Sequence, residues 1–421
     1  MIASAHSIKQ NKLFEALLIG LTTFCIYTCM YAIRKPFTAL IFDEKLFGYG
    51  IKSWMVISQL LGYTCSKFFG ISFFGNLKRK NRSSTISILL FISVIPLLLM
   101  PLTPLKLWPL WFFLNGFPLG LIWGLVFSFV EGRRLTEFIG AILACTFIFS
   151  SGMVKSLAIY LQEIHFMTKW IPFFIAVAFY IPSIIFSFLL EKLPEPSIEE
   201  KLENAPRLPL NQFERKTFIK KYKIFIISTI LTYCILTLIR DSRDNFSAEL
   251  MKSLNIYHSS SLSQLETALT VFMLLCIPFI SRIRNHKKAI LITLFTTIIG
   301  GFICAITPYL FKHQYIDGYM LLLLSGTGVY LGYILINISI MDRLVALNGS
   351  ACNSGFLVYM ADSFGYLMTL TISGTALFTQ KGDVPWLYLF EQLLKLGGII
   401  IIVGAIISIV QIKKYKQEPI I

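Results

Sequence analysis

The chain has 421 residues, of which 56% are hydrophobic and 14% charged. Soluble chains carry about 25% charged residues, so this length is not two or three water-soluble domains, and no polar stretch is long enough for a water-facing enzyme domain. The net charge of +16, from 38 basic and 22 acidic residues, fits either nucleic acid or a membrane, and the placement of the charges decides between them.

Lys9 and Lys12 precede an apolar run from Leu13 to Ile33. It is longer than a signal-peptide core and lacks a small-residue cleavage site, so it reads as a first transmembrane helix. Twelve such segments run along the chain, at 13–36, 53–75, 84–102, 107–130, 138–161, 169–190, 223–246, 262–281, 289–310, 318–341, 351–378 and 385–411. Pro96, Pro101, Pro104, Pro109 and Pro118 crowd the third and fourth, which predicts a kinked or short helix there. Between the sixth and seventh, Glu191 to Lys223 holds Pro194, Pro196, Pro206, Pro209 and many charges. It reads as a linker with a short amphipathic helix. The expected architecture is an all-α polytopic membrane protein of 12 transmembrane helices. Two pseudo-symmetric six-helix halves (1–190 and 223–421) flank a cytoplasmic linker (191–222).

Basic residues gather in alternate loops. Lys78, Arg79, Lys80 and Arg82 share one; Arg133 and Arg134 the next. The linker, then Arg282, Arg284, Lys287 and Lys288, then Arg343, then Lys413, Lys414 and Lys416 continue the series. The positive-inside rule puts both termini in the cytoplasm of a cell that holds the protein in its inner or plasma membrane. This placement accounts for the net charge through the lipid bilayer, without nucleic acid. The eight cysteines form no CxxC pair and the five histidines no cluster. Neither a disulfide framework, a metal site nor a cofactor is expected. GxSxG and Walker sequences are missing as well, and the chain is read as a non-enzyme and a monomer.

An internal repeat carries the functional reading. Tyr27, Tyr31 and Arg34 in the first segment, and Tyr233, Thr237 and Arg240 in the seventh, share the spacing i, i+4, i+7, one helical face. The offset that carries Arg34 onto Arg240 also carries the basic loop 76–82 onto 282–288. Gly116, Gly120 and Gly124 in the fourth segment match Gly328 and Gly332 in the tenth, a spacing that lets helices approach closely. Two homologous halves follow.

Charges inside apolar spans are costly and need a reason. Arg34 and Arg240, related by the repeat, are placed to face one central site. Two guanidinium forks there would hold a phosphate or carboxylate bidentately. The alternative is that both snorkel to the outer interface. Lys67 in the second segment adds charge to an anion site or snorkels inward. Lys155 and Asp362, near-equivalent under the repeat, form a candidate pair between the halves, either switching or static. Glu266 either binds a coupling proton or balances a lysine. Glu391 and Lys395 are expected to pair locally at i, i+4.

Three stretches resemble a known family. Tyr31-Ala-Ile-Arg34-Lys35-Pro-Phe37 is similar to the first-helix pattern Tyr-x-x-Arg-Lys-Asn-Phe of the organophosphate:inorganic phosphate antiporters of the major facilitator superfamily, which include the glycerol-3-phosphate transporters. Tyr63-Thr-Cys-Ser66-Lys67-Phe68 resembles their second-helix Tyr-Gly-Phe-Ser-Lys-Phe. Arg240, with Asn245-Phe246-Ser247, resembles their seventh-helix Arg-x4-Asp-Trp-Ser. The chain is divergent: Pro36 replaces the asparagine, and Phe149 stands where the family has a fifth-helix histidine. The resemblance implies a secondary transporter that exchanges a small phosphorylated anion for inorganic phosphate by alternating access. It implies that Arg34 and Arg240 clamp the anion, and that Tyr63, Lys67 and Lys35 line the site. Proton-coupled symport through Glu266 or Asp362 stays open, as does a sensor that binds the anion without transport.

Overall fold

The computed structural model describes residues 2–73, 81–130, 133, 136–193, 212–256, 258–283, 285–348, 355–379 and 385–415. Twelve long helices stand where the sequence predicts them. They are α1 (Ile2–Arg34), α2 (Ile51–Phe73), α3 (Arg82–Leu99), α4 (Trp108–Phe127), α5 (Thr136–Glu163) and α6 (Ile171–Lys192). After the short α7 (Gln212–Lys221) come α8 (Lys223–Asn245), the short α9 (Ser247–Ser253), α10 (Ser259–Ser281) and α11 (His286–Lys312). Then come α12 (Gly318–Leu335), α13 (Met341–Leu347), α14 (Gly355–Thr379) and α15 (Trp386–Lys413). A π-helical turn, Ile336–Ile340, joins α12 to α13 in one continuous span. Among the described residues nine of these spans are long and apolar enough to cross a membrane. The remaining three, α2, α10 and α14, carry Lys67, Glu266 and Asp362.

The prolines of the third and fourth segments are accommodated without shortening either span. Pro96 and Pro118 lie inside α3 and α4, and a 3-10 turn at Met100–Leu102 closes α3. Lys78, Arg79, Lys80, Arg134, Arg284, Cys352, Lys416 and linker residues 194–211 lie outside the described residues. The i, i+4 pair expected on α15 does not form. Glu391 instead lines a surface cavity with Lys312, Asp317 and Tyr388.

Helices α1 to α6 pack on one another, and α8 to α15 do likewise; α2 meets α14 and α5 meets α10 between the two groups. Small residues set the closest approaches. A Cβ at Gly62 would run into the Phe113 carbonyl, and one at Gly116 into the Gln59 carbonyl, so α2 and α4 touch backbone to backbone. The second group differs. Gly328 meets Gly300, which brings α12 onto α11 instead of α10, a helix that contains no glycine.

One element has no counterpart in the sequence reading. Between α1 and α2, strands β1 (Lys45–Leu46) and β2 (Tyr49–Gly50) form a two-residue hairpin. Its central residues Phe47 (φ 53°) and Gly48 (φ 84°) are both left-handed, as the tight primed turns require. Trp54 Nε1 donates to the Leu46 carbonyl (3.0 Å) and fastens the hairpin to α2.

Candidate functional site

α1 stops at Arg34 because Pro36 follows, and the chain turns through a buried 3-10 segment, Pro36–Ala39. The last carbonyls of α1 need partners. Gln59 Nε2 donates to the Arg34 carbonyl (3.0 Å) and to Asn115 Oδ1 (2.7 Å), while Asn115 Nδ2 donates to the Ile33 carbonyl (3.4 Å). Two buried amides from α2 and α4 therefore fix the helix end that carries Arg34.

Arg34 is 5% exposed, so it does not snorkel to an interface. Its guanidinium lies 3.9 Å from the Tyr63 ring centroid and 6.0 Å from that of Tyr366. Among the described residues its side chain makes no ion pair and donates no hydrogen bond, and its Nε is buried without an acceptor. Stacking on tyrosine stabilises a cation by about 0.5–2 kcal/mol, far less than is needed to offset burial of a charge.

Arg240, its repeat mate, is 7% exposed but partnered. Nη2 and Nε donate to Asp241 Oδ1 (2.6 and 3.1 Å), and Nη2 reaches the Tyr366 hydroxyl (3.2 Å). The guanidinium also lies 4.2 Å from the Tyr333 ring centroid and 5.7 Å from that of Tyr366. Tyr366 thus stands between the two arginines, and the structure brings both to one aromatic cluster. Tyr27 packs edge-on against Tyr31 (5.7 Å), Trp123 (5.2 Å) and Phe147 (5.8 Å) on one side of it. Tyr233 stacks on Tyr333 (5.0 Å) on another.

The lysines find partners across the two helix groups. Lys67 Nζ donates to Asp362 Oδ2 (3.0 Å), whose Oδ1 accepts from the Tyr233 hydroxyl (2.6 Å). Asn337, in the π-helical turn, donates to that hydroxyl (2.8 Å). Lys155 pairs with Asp244, which corrects the expected Lys155–Asp362 pair; Lys35 takes the other oxygen of Asp244. Lys35 Nζ also donates to Asn245 Oδ1 (2.7 Å), and Ser151 donates to Asp244. The offset arithmetic had placed Lys155 opposite Asp362, but α5 packs on α10 and the end of α8, whereas α14 packs on α2. Lys52 pairs with Glu249 (2.8 Å). Glu266 balances an arginine, Arg243 (2.6 Å), and no lysine.

Position along α2 gives the layering. Lys52 stands near its start, Gln59 and Tyr63 hold Arg34 further on, and Lys67 follows one turn later. Lys52 and Lys67 are separated by about 22 Å at 1.5 Å per residue. Ion pairs between the helix groups therefore lie on both sides of the arginine layer. Of the nine buried cations among the described residues, seven (Arg34, Lys35, Lys52, Lys67, Lys155, Arg240, Arg243) face five carboxylates (Asp241, Asp244, Glu249, Glu266, Asp362). The excess is two: one at Asp244, which serves two lysines, and one at Arg34.

A model of a family of unknown function, DUF5690, matches residues 36–415. The chain belongs to that family. No curated protein sequence matches it. Among solved structures it is similar to a D-xylose–proton symporter, with a TM-score of 0.64 at 14% identity over 94% of this chain and 97% of that one. It is similar to the nucleoside transporter NupG, with a TM-score of 0.58 at 18% identity over 96% of this chain and all of the other (100%). It also resembles the inward-open xylose transporter XylE from E. coli, with a TM-score of 0.59 at 15% identity over 94% and 95%. At such identities the likeness is one of fold, and XylE is a major facilitator superfamily protein. This DUF5690 protein therefore has the all-α, multi-pass membrane fold of that superfamily.

In this DUF5690 chain the sequence reading missed Tyr366, Tyr333, Gln59 and Asn115, and it gave Asp244 and Lys52 no role. Tyr366 had a signal, since it stands one turn beyond Asp362 on α14. Tyr333 and Asn115 sit beside the glycines of the two small-residue stripes and were overshadowed by them.

Proposed function

We propose that this protein is a secondary transporter of a small anionic solute carrying one or two negative charges, of which a phosphate ester is the best candidate. The observation that carries the reading is the unpartnered Arg34. A buried guanidinium in a membrane protein, with no ion pair or hydrogen-bond acceptor among the described residues while the other buried cations of the cluster are paired, is what an anion-binding site needs. Arg240 lies beside the same tyrosine and supplies the second fork. Tyr27, Tyr31, Tyr63 and Tyr233 line the cluster, and Lys67 and Lys35 add positive charge next to it. The fold supports alternating access, in which the two helix groups rock about a midplane site. Lys155, Lys35 and Lys52 on one side, and Lys67 with Asp362 on the other, are the contacts that break in turn. Glu266, held to Arg243 within the second group, stays attached through the cycle. The matched solved structures include a proton symporter of D-xylose and a nucleoside transporter, which is in keeping with transport. Both termini lie in the cytoplasm in this reading, and the protein works as a monomer in the inner or plasma membrane.

The test is uptake of labelled glycerol 3-phosphate into proteoliposomes, with and without inorganic phosphate inside. Uptake that needs Arg34 supports the reading, and stimulation by internal phosphate makes it an exchange. Flux that survives neutralising both Arg34 and Arg240 removes the proposed site.

A further inference from the structure

We propose that one proton travels with the anion, carried on Asp241. The inference rests on the reading that Arg240 binds the anion. Asp241 is 2% exposed, and its one partner among the described residues is Arg240, which holds Oδ1; Oδ2 is buried with no hydrogen bond among them. Those same guanidinium donors are the ones a phosphate or carboxylate takes in a bidentate fork. When the anion takes them, Asp241 loses its only anchor and becomes a buried carboxylate with two bare oxygens.

The groups facing Asp241 do not replace that anchor. On α8 they are Arg240 and, one turn on, the carboxylate of Asp244, already shared by Lys35 and Lys155. From α1 come Arg34 and Lys35, and from α14 Tyr366. Arg34 is then occupied by the anion, Lys35 is held by Asp244, and Tyr366 bonds Arg240. α12 contributes Tyr333, which lies over Arg240. α15 meets this stretch of α8 through apolar residues such as Phe390, Leu393 and Gly397.

Counted over the three groups at the fork, with the positive charge that Lys35 and Lys155 share around Asp244 left apart, a neutral Asp241 balances a bound dianion. Arg34, Arg240 and Asp241 sum to +1 when empty. A dianion makes the sum −1, and a proton on Asp241 brings it to zero. The proton comes from water on the side to which the site is open and forms an O–H bond at Oδ2. When the anion leaves on the opposite side, Arg240 recaptures Oδ1 and the proton is released there. Anion and proton therefore cross in the same direction, one proton per cycle.

The experiment uses the full chain in proteoliposomes with a pH-sensitive dye trapped inside and labelled glycerol 3-phosphate as the probe. In the wild type, entry of the probe should acidify the lumen, and an acid-outside gradient should drive accumulation several-fold above equilibrium. Asp241→Asn should still exchange probe against internal probe, with a KM lowered at least several-fold and no longer dependent on pH, while lumen acidification and accumulation are lost. Asp241→Glu should restore both. Probe entry without lumen acidification in the wild type overturns the proposal and leaves the anion site standing. Acidification that persists in Asp241→Asn also overturns it, as does acidification lost in Glu266→Gln but kept in Asp241→Asn. No probe flux in the wild type removes the carrier reading and the proton with it.

Discussion

Arg34 and Arg240 occupy equivalent places in two helices that match by sequence, yet their surroundings differ. Arg34 ends α1, its backbone is fastened by Gln59 and Asn115, and its guanidinium lies over tyrosine rings with no ion pair among the described residues. Arg240 lies inside α8 and is held by the next residue, Asp241, and by the Tyr366 hydroxyl. The pair teaches that a repeated motif can be divided in role. In the proposed transporter one arginine receives the negative charge, and the other is released only when that charge competes with its own carboxylate.

The sharpest way to break this comparison is to neutralise each arginine and measure stability without ligand. Arg34→Gln removes a buried charge that has no ion pair among the described residues and should leave the empty protein at least as stable as the wild type, although it should abolish anion binding. Arg240→Gln orphans Asp241 and should destabilise by about 3–5 kcal/mol. Adding Asp241→Asn should recover most of that loss, since the two residues are directly coupled. Equal destabilisation by both single changes, measured as detergent-solubilised thermal midpoints, would erase the asymmetry.

Smaller effects separate the two layers of ion pairs. Lys67→Gln leaves Asp362 buried with only Tyr233 as a donor and should cost about 3 kcal/mol or more. Lys52→Gln frees Glu249, whose side chain is 27% exposed, and should cost about 1 kcal/mol or less. Both changes should shift cysteine-accessibility labelling toward the side they unlock. Smallest of all, Tyr63→Leu removes the ring beneath Arg34 and should weaken anion binding by about 1–2 kcal/mol, whereas Tyr63→Phe should stay near the wild type.

Much of the fold was legible in the chain because membrane spans announce themselves through local composition. All twelve helices fell where apolar segments predicted them. The hairpin between α1 and α2 was not read, because a two-residue turn at Phe47-Gly48 leaves almost no compositional trace. Of the site, Arg34 and Arg240 were visible through helical spacing and the repeat, Lys67 as a charge inside an apolar span, and Tyr63 through the family resemblance. Partnership was not: Lys155 was assigned to Asp362 by offset, yet it meets Asp244. A charged residue on a helix declares its face, but its partner depends on which helix packs opposite. Here α2 lies on α14 and α5 on α10, contacts between residues nearly 300 positions apart in the case of Lys67 and Asp362 (|i−j| = 295). Asp241 illustrates the opposite case, a partner adjacent in sequence whose importance lies in one bare oxygen that no spacing rule reveals.

The central claim is that Arg34 is reserved for an anion. It is tested most directly by thermal-shift titration of purified wild type and Arg34→Gln against glycerol 3-phosphate, inorganic phosphate and uncharged glycerol. The account predicts stabilisation of the wild type by the anions, growing with concentration toward about 2.7 kcal/mol at a hundred times the Kd, with none from glycerol and none in Arg34→Gln. Equal stabilisation of the variant by the same anions, or a response to glycerol as large as to its phosphate, would contradict it.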